Sequence, residues 1–125
     1  MNPGKLAAQV AHAAGSFMAI RLAGLDGNNI RLSEAQIAWL HGSFGKIVLE
    51  VYSENELLKI HDQAREAGLE SHLITDSGKT EFKGVPTRTC IGIGPDYADL
   101  IDPITKHLKL YGVSKSVKED NSSNQ

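Results

Sequence analysis

Asn2 followed by Pro3 constrains this chain more than any other pair of residues, because it fixes where a long helix starts. The asparagine side chain can accept from an orphan amide of the first turn, and a proline at the first helical position gives up an N–H that has no partner there. Behind this start Leu6, Val10, Ala13, Phe17 and Ile20 recur at helical spacing. A helix from about Gly4 to Ala23 therefore presents one apolar stripe that must be buried, and Gly24 with the Gly27, Asn28, Asn29 cluster ends it. The rest of the chain has to supply the surface that covers this stripe.

Two further helices announce themselves by their caps. Ser33 with Gln36 has the form of a capping box ahead of the apolar Ala35, Ile37, Ala38, Trp39 and Leu40, and His41, Gly42 and Gly45 close that element. Ser53 with Glu56 repeats the pattern, and Leu57, Ile60, Ala64 and Ala67 form a stripe that stops at Gly68. Between these helices, Lys46 to Tyr52 is β-branched and apolar, the composition of a strand covered on both faces. Ser71 to Thr75 reads as a strand ending at Asp76, and Thr87 to Ile93 as its antiparallel neighbour ending at Gly94 and Pro95, with a polar hairpin-like segment from Ser77 to Pro86 between them. Asp96 can cap a short turn, and Asp102 with Pro103 restarts a helix through Leu108. This order predicts an α/β fold: a single three-layer α/β/α domain over residues 1–113, with a small mixed β-sheet. A chain of 125 residues has room for one such core. Residues 114–125 are polar and read as a disordered tail.

Several functions are disfavoured at this point. No apolar run approaches the roughly 20 residues of a membrane helix, and the start lacks a secretory pattern, so the expectation is a cytoplasmic protein without a membrane partner. The lone Cys90 lies in an apolar run and reads as a buried structural thiol. His12, His41, His61, His72 and His107 show no metal-ligand spacing, so no metal is expected. Gly92, Ile93, Gly94, Pro95 lacks the third glycine of a dinucleotide fingerprint, and Ser16 and Ser43 lack a nucleophile-elbow context. The net charge of −2 gives no global pull toward phosphate, which leaves local charge to decide.

Two places remain where chemistry can reside. Lys5, Gln9, His12 and Ser16 form a polar stripe on the first helix. Such a stripe is most often a solvated edge, yet a lysine at a helix start opposes the macrodipole and suits contact with an anion. Asp76 stands at a strand end, held by a sheet but open to solvent; it can equally be a turn aspartate bonding its own backbone. After it come Lys79, Lys83 and Arg88 against a single Glu81, a local positive excess suited to phosphate or simply a solvated hairpin.

Three phrases, Gly4-Lys5-Leu-Ala-Ala-Gln9-Val-Ala-His12-Ala, Asp76-Ser-Gly78-Lys-Thr80 and Thr89-Cys-Ile-Gly92-Ile-Gly94-Pro95, together resemble the signature blocks of the type 2 peptidyl-tRNA hydrolase family, in order and in separation. Trp39, the Lys46 strand, the Glu56-Leu57 helix and the closing Ile101 to Leu110 resemble it as well. The resemblance implies hydrolysis of the ester joining a peptide to tRNA, in translation and ribosome rescue, without metal or organic cofactor. It places the family's functional lysine, aspartate and threonine on Lys5, Asp76 and Thr89, with His12 and Thr80 matching further positions that shape the site; beside these, the stripe residue Gln9 and the local cations Lys79, Lys83 and Arg88 are read as substrate-binding, the cations meeting tRNA phosphates. It also implies a homodimer. Two departures stand out: the run from Asp76 to Thr89 is one residue longer than usual, and the apolar strand that ordinarily precedes the Gly-Lys block is missing, which leaves the sheet one strand short. The alternative carried beside the enzyme is a catalytically impaired tRNA- or protein-binding module of the same fold. A phospho-acceptor domain built on Asp76 lacks the companion acidic pair it would need.

Overall fold

The computed structural model describes residues 1–24, 30–77 and 85–113. Its elements run α1 (Pro3–Ala23), α2 (Glu34–His41), β1 (Leu49–Glu50), α3 (Glu54–Glu66), β2 (Ser71–Asp76), β3 (Thr87–Ile93), α4 (Ala98–Thr105) and β4 (Lys109–Leu110). The caps act as their residue types require. Asn2 Oδ1 accepts from the Lys5 amide at 2.8 Å with Pro3 beside it. Ser33 and Gln36 exchange both bonds of a capping box, at 3.1 and 2.9 Å, while Ser53 Oγ accepts from the Glu56 amide at 3.1 Å. Each satisfies an amide that the first helical turn would otherwise leave without a partner.

The centre of the molecule is the antiparallel pair β2–β3, with Ser71 opposite Ile93 and Asp76 opposite Thr87. Helix α1 covers one face, and α3, with α4 packed behind it, covers the other. The core draws on Ala13 and Phe17 from α1, Ala35 from α2, Leu57, Ile60 and Ala64 from α3, and Leu69 and Ile74. Phe17 meets the ring of Trp39 edge-on, with centroids 5.8 Å apart, which ties α2 to α1. At Gly92 the approach of α1 is so close that an added Cβ would stand 2.5 Å from the Ala13 carbonyl oxygen. Only glycine leaves room for the helix there.

The α/β architecture matches the sequence reading, and so do α1, α2, α3, β2 and β3. The strands do not merge into one sheet of mixed direction. Among the described residues they form two separate antiparallel ribbons, β2–β3 and β1–β4, with no strand joining them. The expected strand from Lys46 to Tyr52 contracts to Leu49–Glu50 for the same reason: its partner offers only Lys109–Leu110, with one further bond from the Tyr111 amide to the Val48 carbonyl. Instead of covered faces it has Ile47 at 78% and Tyr52 at 76% exposure. Helix α4 does not break at Asp102. Pro103 lies close to its C-terminal end, where a proline forfeits a single backbone bond, and the helix runs through it. The predicted tail, residues 114–125, lies outside the described residues. No described helix is long and apolar enough to cross a membrane.

Candidate active site

Helix α1 lies antiparallel to β2 because it is pinned at both ends. At one end Lys5 Nζ donates to Asp76 Oδ1 at 2.5 Å. At the other, Arg21 donates two bonds to Glu70, at 2.8 and 2.9 Å. The two pins are geometrically compatible: sixteen helical residues at roughly 1.5 Å rise span about 24 Å, and six extended residues at roughly 3.3 Å span about 20 Å. Glu70 also accepts from Gln36 Nε2 at 3.0 Å and meets His72 Nε2 at 2.6 Å. The Arg21 bonds first, then the bond with His72, hold the Glu70 carboxyl at about 2, well below its ordinary value. Arg21, in turn, is raised by its hydrogen bonds to Glu70.

The Lys5–Asp76 end gathers the predicted catalytic residues. The Asn2 cap sets the first turn of α1 and with it the position of Lys5. The pair is shielded, with side-chain exposures of 16% for Lys5 and 9% for Asp76. One helical turn on, Gln9 is buried and its Oε1 accepts from Thr89 Oγ1 at 2.5 Å. Cys90 Sγ donates to the Gln9 carbonyl at 3.3 Å, and burial pushes this thiol up from its ordinary value. Cys90 thus bonds β3 to α1, and it is half-buried where the sequence reading expected a buried thiol.

Thr89 and Cys90 are neighbours, yet both reach α1, whereas successive residues of an unbroken strand point to opposite faces. The ladder explains this. Ile74 pairs with Cys90 and Thr75 with Arg88, so Thr89 is an extra residue between them, a β-bulge. The bulge turns the Thr89 hydroxyl onto the face that carries Gln9, Lys5 and Asp76. No periodicity rule would have placed it there.

Other predicted residues are placed differently. Arg88, next to the bulge, points the other way and pairs with Glu54 at the start of α3 at 2.8 Å, both about half exposed. It does not join the cluster. His12 is exposed, and its carbonyl accepts from Ser16 Oγ at 2.7 Å. Lys79, Thr80 and Lys83 lie outside the described residues. Among the described residues no three His, Cys, Asp or Glu side chains are grouped to hold a metal ion. Sequence reading overlooked the Glu70 hub; the only signal for it was a glutamate next to a strand start, with nothing to indicate its three partners. Chemically, one end of β2–β3 pairs a carboxylate with an ammonium, and a hydroxyl is bonded one turn along the same helix, at Gln9. These are the groups that can orient a water and stabilise an oxyanion.

Comparison with known proteins bears on the same region. The profile of the family described as peptidyl-tRNA hydrolase PTH2 matches residues 1–111. The chain is similar to the peptidyl-tRNA hydrolase of Sulfurisphaera tokodaii, at 44% identity over 110 residues covering 88% of each chain. It is similar to that of Saccharolobus solfataricus at 40% identity with the same coverage. The peptidyl-tRNA hydrolase of Metallosphaera sedula is 44% identical over 88% of this chain and 89% of its own.

Proposed function

The chain belongs to the peptidyl-tRNA hydrolase PTH2 family, and from that premise and the geometry of the site we propose how it works. The reaction is hydrolysis of the ester bond of peptidyl-tRNA, which releases free tRNA and peptide. The alternative, an impaired binding module, gains no support from the relatives, which carry the enzyme's name.

The observation that carries the mechanism is the shielded Lys5–Asp76 pair, with a hydroxyl that a bulge turns onto Gln9, one turn along the same helix. In this reading Asp76 orients a water and draws off its proton as the oxygen attacks the acyl carbon. Negative charge then gathers on the former carbonyl oxygen, where the Lys5 ammonium stabilises it, joined by the Thr89 hydroxyl once its one proton turns from Gln9 Oε1 to the oxyanion. As the intermediate collapses, the bond to the ribose oxygen breaks and the proton passes to the departing tRNA hydroxyl. Gln9 holds Thr89 in position, and His12, Thr80, Lys79 and Lys83 serve in this reading as substrate contacts, whereas Arg88, paired with Glu54 on the other face, stands apart from this centre.

The setting that fits this activity is cytoplasmic translation, where peptidyl-tRNA left by stalled synthesis must be recycled. A homodimer completes the proposal. Exposed apolar side chains around the β1–β4 ribbon, among them Ile47, Val48, Tyr52, Leu110 and Tyr111, offer a surface that association would cover.

Steady-state assay with a tRNA charged with a labelled peptide tests the function. Release of peptide well above the spontaneous rate is expected, and release at the spontaneous rate would refute it.

A further inference from the structure

Strand β2 has a second edge, and its backbone groups are aimed away from the core. The Gly94 amide donates to the Glu70 carbonyl at 2.8 Å. By the alternation of an antiparallel ladder, Glu70, His72 and Ile74 then turn their N–H and C=O groups toward β3, whereas Ser71 and Leu73 turn theirs outward. Among the described residues β2 pairs with β3 alone. A groove of about 610 Å³ opens on this side, lined by four consecutive residues of β2, Ser71 to Ile74, by α1 and α3, and by none of β3. Consecutive strand residues face opposite ways, so a groove that touches all four runs along the edge rather than across a face.

We infer that this groove binds the peptide moiety of the substrate as an added extended strand, with the backbone of Ser71 and Leu73 as its hydrogen-bonding rail. The inference rests on the peptidyl-tRNA hydrolase reading above, and three observations carry it further. The first is continuity: β2 runs from the groove floor directly to Asp76, and the polar stripe of α1 continues from Lys5 and Gln9 to His12 and Ser16, which line the groove. A peptide ester held at Asp76 can therefore lay its chain along the same strand. The second is shape. Free strand edges usually carry some guard against pairing; here α1 and α3 rise on either side, leaving a slot for one extended chain and excluding a second sheet. Four strand residues at roughly 3.3 Å each give a floor of about 13 Å, enough for about four residues of peptide.

The third is chemistry. Backbone pairing is common to every polypeptide, and walls formed by Ala19, Ile20 and Leu73 accept apolar side chains without selecting one. An RNA backbone would find little to grip. Arg65 is the one arginine or lysine in the lining; His72 is engaged by Glu70, and His61 holds Ser71 Oγ at 2.7 Å. Burial, together with the nearby Arg65 charge, also pushes His61 toward its neutral form, Asp62 opposing more weakly.

The test compares tRNA carrying one N-acetylated amino acid with tRNA carrying a five-residue peptide. For the unmodified protein kcat/KM should favour the longer substrate by on the order of tenfold, the equivalent of about 1.4 kcal/mol. Ala19→Trp, which fills the groove, should bring the ratio to about one. In parallel, amide resonances of Ser71 and Leu73 should shift on addition of an N-acetylated pentapeptide amide, and not with deacylated tRNA. Equal kcat/KM for both substrates in an enzyme that turns both over would overturn the inference while leaving the hydrolase reading intact. So would groove amides that respond to deacylated tRNA, or to protein concentration alone, which would assign the edge to RNA or to a second copy. Loss of turnover on both substrates by the unmodified protein would instead refute the hydrolase reading.

Discussion

Thr89 reaches the site because β3 carries one residue more than β2 across the ladder, and that hydroxyl depends on Gln9 for its direction. Thr89→Ala should therefore lower kcat by about 10² to 10³, the usual cost of losing an oxyanion donor, with little loss of fold. Thr89→Ser keeps the hydroxyl and should retain most of the rate; equal losses in both variants, measured by steady-state kinetics beside circular dichroism, would mean that the methyl group's packing matters rather than the hydroxyl. Lys5 is a different case. Its ammonium faces a carboxylate that is 9% exposed, and removing it takes away a shielded ion pair at the start of α1. Lys5→Ala should thus lose activity and also some stability, read by denaturant unfolding. Undiminished stability would show that the pair serves the site and not the fold.

At the level of elements, the site depends on how α1 sits on β2–β3, and two contacts control that seating. Gly92→Ala would drive a methyl into the Ala13 carbonyl, so α1 must shift or the strand must bend. A stability loss of about 1–3 kcal/mol and a fall in kcat are expected together, since the same helix carries Lys5 and Gln9. The Glu70 hub is the second contact, and it makes stability depend on pH. A carboxyl lowered to about 2 in the folded chain contributes fully above its ordinary value of 4.5 and loses that contribution as pH falls toward 2. Melting temperature should drop more steeply over that window in the natural chain than in Glu70→Gln, and parallel curves would assign the stabilisation elsewhere. Much of this framework was legible in the sequence. Asn2-Pro3, the Ser33 and Ser53 caps and the β-branched run at Thr87 act locally, so local rules found them. The bulge at Thr89, the shortness of β1 and the pairing of Lys109–Leu110 were not legible, because each depends on which strand lies alongside. Lys5 and Asp76 are 71 positions apart, so no spacing rule links them; the resemblance named both, and the fold supplies their contact.

For the whole molecule, a net charge of −2 leaves tRNA binding to a few local cations. With Arg88 held by Glu54 and Lys5 by Asp76, two to four phosphate contacts are expected, so affinity for deacylated tRNA should fall roughly 10- to 150-fold between about 50 and 200 mM salt. Affinity that stays flat would remove phosphate contact from the account. Light scattering at micromolar concentration should report a dimer, and a monomer would leave the apolar side chains around β1–β4 for another partner. In the proposed mechanism Asp76, held by Lys5 at the end of β2, drives ester hydrolysis, and Asp76→Asn is the decisive variant because the amide keeps the shape and removes the proposed base. Single-turnover hydrolysis of a defined peptidyl-tRNA should slow by about 10² to 10⁴ while circular dichroism and melting show a folded chain. A folded Asp76→Asn protein that cleaves the ester at close to the natural rate would rule Asp76 out as the base.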